Sequence, residues 1–96
     1  MRQIQHHKLN SFNKVSIRVS APITGAIYSV SINGVQYSFT SVSDDELSII
    51  EGLSKAVNPD GYKVSVNESN ITLDVISESA SRSGILVLSD NLTTAS

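Results

Sequence analysis

The hydrophobic pattern of this chain changes period twice. "KVSIRVS" (residues 14–20) alternates strictly, with Val15, Ile17 and Val19 on one face and Ser16, Arg18 and Ser20 on the other, as a half-buried strand does. "APITG" breaks the run with Pro22 and Gly25. In "AIYSVSINGVQYSFT" two further alternating runs follow, Tyr28, Val30 and Ile32 on one and Val35, Tyr37 and Phe39 on the other. Asn33-Gly34 stands between them. A type I′ turn needs positive φ at both central residues, and Asn and Gly tolerate that best, so the pair predicts a β-hairpin.

At "SDDE" the period becomes helical. Ser43 is placed to cap the helix by accepting from the Glu46 N–H, and the Glu46 side chain to reach back to the Ser43 N–H. Asp44 and Asp45 add negative charge at the positive end of the helix dipole. Leu47, Ile50, Leu53 and Val57 then recur at three-to-four spacing, widened by Ile49 and Ala56, which predicts a helix of about fourteen residues. Pro59 and Gly61 in "NPDG" stop it. Gly52, inside the helix, costs roughly 1 kcal/mol against alanine, a cost that close approach of a strand or neighbouring subunit would explain.

"GYKVSVNESNITLDVIS" reads as a second hairpin, with Tyr62, Val64 and Val66 alternating before the "NESN" turn and Ile71, Leu73 and Val75 after it. "ILVLS" (residues 85–89) is a continuous apolar run, read as a strand buried on both faces. Before the first strand, "MRQIQHHKLNSFN" keeps no period. The expected fold class is α+β: a small antiparallel or mixed sheet of two hairpins plus flanking strands, with one helix packed across it, in the order arm–β–ββ–α–ββ–β. Residues 1–13 are expected to form an extended basic arm, 14–90 a single domain and 91–96 a frayed tail.

Ninety-six residues hold one domain, and a chain of this length buries only about 60–65% of its unfolded surface, so partner subunits would add stability. The net charge of −2 hides an asymmetry: Arg2, Lys8, Lys14 and Arg18 fall in the first eighteen residues, where there is no acid. Such a segment suits nucleic acid or an acidic neighbouring subunit. Arg2, Ile4, Lys8, Leu9 and Phe12 are the candidate assembly residues of the arm. The start has a basic residue but no apolar stretch behind it, and no run approaches the roughly 20 residues of a membrane span, so a soluble protein is expected.

Little in the chain points to chemistry. It has no cysteine, hence no disulfide and no thiolate metal site. His6 and His7 are adjacent in an extended segment, where their side chains would diverge, and no third ligand lies near. No nucleophile elbow or glycine-rich phosphate loop is present. The acidic cluster Asp44-Asp45-Glu46 is accounted for by capping. No catalytic residue, metal or cofactor is expected.

The stretch "YSVSINGVQYSFTSVSDDELSIIEGLSKAVN", followed by "YKVSVNESNITLDV", resembles a module of tailed-bacteriophage structural proteins, chiefly tail-tube and tail-associated ones. That module has the form Y-x-V-x-I-N-G-x-x-Y-x-(Y/F)-T, then a capped helix of the type I-x-x-x-L-x-x-A-(I/V)-N, then a strand pair carrying N-x-(I/L)-T-L. Matching residues include Tyr28, Asn33, Gly34, Tyr37, Phe39, Ile49, Leu53, Asn58, Asn70 and Leu73, and the match covers about half the chain. In the family the module is usually embedded in longer proteins, and the basic start and "ILVLS" are not part of its pattern. The resemblance implies a non-enzymatic virion component, made in the host cytoplasm: a capsid cement or decoration protein, or a small tail or neck subunit. Its partners would be copies of itself and larger capsid or tail proteins, without a membrane. Two alternatives stand beside it: a small nucleic-acid-binding protein using the basic arm, and a surface- or carbohydrate-binding module.

Overall fold

The computed structural model describes residues 10–79 and 83–95. Eight strands and one helix follow in order: β1 (Asn10–Phe12), β2 (Lys14–Val19), β3 (Ile27–Ile32), β4 (Val35–Thr40), α1 (Glu46–Ala56), β5 (Tyr62–Asn67), β6 (Thr72–Ser77), β7 (Gly84–Leu88) and β8 (Leu92–Thr94). The α+β class is as expected. The strands divide into two antiparallel four-stranded sheets, β1-β7-β3-β4 and β5-β6-β2-β8. The helix packs beside β4 of the first sheet and over β5, β6 and β2 of the second. Between the layers lie Ile17, Tyr28, Val30, Ile32, Ile49, Ile50, Leu53, Leu73, Val75 and Leu86, all fully buried.

The first hairpin forms as the pattern predicts. Ile32 pairs with Val35, and Asn33 and Gly34 take φ of 55° and 86°. Asn33 does more than turn the chain. Its N–H donates to the Ile85 carbonyl at 2.9 Å, and its Oδ1 accepts from the Ile85 N–H at 2.9 Å. Its Nδ2 donates to the Tyr62 hydroxyl of the second sheet at 3.1 Å, tying the layers together.

The helix starts later than the capping-box reading has it. Asp45 is the N-cap, its carboxylate accepting from the Ser48 N–H at 2.9 Å. Ser43 stands two residues ahead and accepts only from the Asp45 N–H at 3.3 Å, and Glu46 is the first helical residue, so it does not close a box. "SDDE" offers several side chains able to cap. The choice among them falls to packing, which seats Ile49, Ile50 and Leu53 on the core. At the other end the Val57 N–H donates to the Leu53 carbonyl at 2.8 Å, and Gly61 turns the chain with φ of 84°. Gly52 has its explanation in Phe39 of β4: a Cβ there would lie 2.1 Å from the ring's Cζ.

Both ends of the domain extend beyond the expected boundaries. β1 pairs with β7, and Phe12 is 7% exposed in the core, its ring 5.6 Å from that of Tyr62. Phe12 is therefore an anchor of the chain's own body, not of an arm reaching outward. Arg2, Ile4, Lys8 and Leu9 lie outside the described residues, as do His6 and His7. At the other end the expected frayed tail contains β8, which pairs with β2 and buries Leu92. Phe12 and Leu92 are single apolar residues in polar surroundings, too few to set a period.

Two strand readings also change. Ile71 belongs to the turn, not to β6, with φ of 55°. A left-handed β-branched residue costs roughly 1–2 kcal/mol, offset here by packing of its side chain against the core. β7 is buried on one face only: Leu86 and Leu88 point inward, and Ile85 is 51% exposed.

Candidate functional site

The outward faces of the two sheets differ in kind. On the second sheet, Lys14, Arg18 and Lys63 point outward around Asp74, whose Oδ1 accepts from the hydroxyls of Ser16 at 2.8 Å and Thr72 at 2.9 Å. This face carries charge of both signs, with Thr72 buried at 3% and Ile76 exposed at 37% among the charged residues. The first sheet has no charged residue at any outward position of its four strands. Cross-strand register places Ile27 beside Thr40, Ser29 beside Ser38, and Ser31 between Gln36 and Val87. Ile85 stands beside Ser11 on the same face. A shallow trough crosses it along Ser29, Ser31, Gln36, Val87 and Ser89, and Asp90 at its end is the first charge met.

This face is held rigidly. Tyr28 is fully buried beneath it, its hydroxyl donating to the Ala21 carbonyl at 2.7 Å and accepting from the Ile23 N–H at 3.0 Å. Ser41, 3% exposed, accepts from the Ala26 N–H at 3.2 Å and donates to the Ile23 carbonyl. The loop entering β3 is thereby fixed by side chains as well as by backbone. Ile23, Ile27 and Val42 are exposed at this end of the sheet, Val42 the most at 84%.

What such a surface can do is pack. Its serines, threonine and glutamine lose less on desolvation than charges would, and can find partners in an interface. Isoleucine and valine supply apolar area. Among the described residues no three His, Cys, Asp or Glu side chains gather into a metal-holding group. Among them, too, no helix is long and apolar enough to cross a membrane.

Asn33 and Gly34 form the β3–β4 turn, Pro59 lies three residues past the end of α1, and Gly61 is in the turn before β5. They support the site and do not line it. The residues that line it, Ser29, Ser31, Gln36, Ser38, Ile85 and Val87, were not singled out by the pattern, which counted them as the polar side of strands or as core. A signal for them does exist in the sequence: residues 19–43 contain no charged side chain. Comparison with family models, curated proteins and solved structures gave no match, so the functional reading rests on this surface and on the motif resemblance above.

Proposed function

We propose that the protein is a non-enzymatic structural component of a tailed-phage virion, a capsid cement or decoration protein or a small tail or neck subunit. It works by packing against copies of itself and against larger capsid or tail proteins. The observation that carries the packing role is the uncharged outward face of β1, β7, β3 and β4 on a small domain. A face left free for solution would be expected to carry charge, as the second sheet does. The virion setting draws its support from the hairpin–helix–strand-pair motif. Residues ahead of Asn10, including Arg2, Ile4, Lys8 and Leu9, supply further contacts to the larger partner in this reading.

The test pairs solution behaviour with location. Sedimentation of the purified protein should show self-association, and Ser31→Glu with Val87→Glu should reduce incorporation into particles while the melting temperature stays within a few degrees. Negative-stain imaging of phage particles carrying a tagged copy should place the tag at regular positions on the virion. A protein that stays monomeric at high concentration and is missing from particles would refute the proposal.

A further inference from the structure

Among the described residues the two sheets present four edge strands, and they are not equally guarded. Exposed edges invite pairing with another chain, and proteins blunt them by making them short, by charge, by proline or by bulges. β1 and β8 are three residues each. β5 carries Lys63. β4 has six residues, "VQYSFT", with no charge and no proline, paired residue for residue with β3 without a bulge. We propose that β4 is a pairing edge, and that its partner is β4 of a second copy, running antiparallel across a two-fold axis to join two first sheets into one.

The sequence of β4 complements itself in that arrangement. With Ser38 opposite its own copy, Gln36 faces Thr40 on the outward side and Tyr37 faces Phe39 on the inward side, each pair occurring twice. No like charges meet. Tyr37 and Phe39 are only half-buried within one chain, although both point to the layer interface. Pairing would cover what remains exposed and set two aromatic pairs directly across strands, where such pairs are stabilising. A groove also lies ready beside the strand. It runs between Phe39 and the helix along Ser48, Glu51, Gly52, Lys55 and Ala56, apolar at its floor and with one charge of each sign at its rim. An aromatic side chain of the second copy has its place there.

This inference rests on the self-packing role proposed above and specifies the contact. Its test uses the absence of native cysteine. Ser38→Cys places two thiols directly opposite each other across the two-fold, within disulfide reach. Ser29→Cys lies on the same outward face, one strand in, where Ser29 and Ser38 hydroxyls are 3.2 Å apart. Under mild oxidation of the full-length protein, Ser38→Cys should give a covalent dimer and Ser29→Cys should not. Ser38→Lys should remove the dimer at concentrations where the unaltered protein is dimeric, with its melting temperature at high dilution unchanged. Association accompanied by cross-linking at Ser29→Cys and none at Ser38→Cys would mean face-to-face packing, overturning the inference while leaving the proposed function intact. A protein that does not associate with itself overturns the inference, and overturns the proposed function as well if it is also missing from particles.

Discussion

Gly52 offers the sharpest check on the packing of the helix against β4. Glycine inside a helix is normally worth replacing: alanine gains about 1 kcal/mol from backbone entropy. Here the new Cβ would stand 2.1 Å from Phe39 Cζ, 2.4 Å from Cε1 and 2.5 Å from Cε2. Carbon atoms settle near 3.5 Å, so the ring must withdraw by about 1.4 Å. Three ring atoms face the methyl at once, and rotation alone does not relieve the contact. Pushing the ring back costs about 1–3 kcal/mol, as over-packing does. Expelling it to solvent forfeits its half-burial, about 1 kcal/mol, along with its seat on the helix. The expected loss is about 2 kcal/mol against a gain of about 1, a net destabilisation near 1 kcal/mol. For a domain of this size that lowers the melting temperature by roughly 4–8 °C. In a Phe39→Ala background these three ring contacts are gone and the same change should stabilise by about 1 kcal/mol, a coupling of about 2 kcal/mol in the double-mutant cycle. Calorimetry of the four proteins at one fixed concentration reads the result. If Gly52→Ala raises the melting temperature of the otherwise unaltered protein, Phe39 does not rest on the helix and the reasoning fails.

Two further substitutions probe corrected boundaries. Phe12→Ala should cost about 3 kcal/mol in urea unfolding because it empties a core position between Gly84 and Tyr62; a cost under about 1 kcal/mol would return Phe12 to an outlying arm. Asp45→Ala should cost about 1 kcal/mol through loss of the cap on the Ser48 N–H, and Ser43→Ala distinctly less; equal losses in thermal melts would restore the capping-box reading.

The sequence was most legible where local chemistry decides the structure. Asn33-Gly34 dictates a turn by its allowed φ, and the alternation on either side follows from the pleat, so the β3–β4 hairpin appears where the pattern puts it. The helix is legible in existence and less so at its start, because Ser43, Asp44 and Asp45 all have side chains able to cap. Alternation tells that one face of a strand is buried but not what buries it, and for that reason the division into two sheets was not visible. β2 pairs with β6 and β8, neither of them its neighbour in sequence. Phe12 is out of phase with Val15 and Ile17 because the chain passes from one sheet to the other at Asn13. Ile71 continues the apolar alternation of β6 while its backbone is left-handed, a case where burial outweighs local preference.

The candidate surface was harder to read for a different reason. Motifs announce chemistry by the residues they contain, whereas a packing surface is marked by residues it lacks. Serine at alternate positions of β3 and β4 satisfies the rule that one strand face is polar, and the pattern stops there. The second sheet shows what the same rule yields with charge available, placing Lys14, Arg18, Lys63 and Asp74 outward. One lysine at Gln36, Ser38 or Thr40 would have guarded the β4 edge at little cost, since surface substitutions usually change stability by under about 0.5 kcal/mol. Charge is spent on β5, whose edge it guards, and withheld from β4 and from the face beside it. For a small domain with a modest core, leaving a six-residue edge and one whole face uncharged is an exposure to aggregation. A protein that functions only as part of an assembly turns that exposure into contact, which is why edge and face are best explained together.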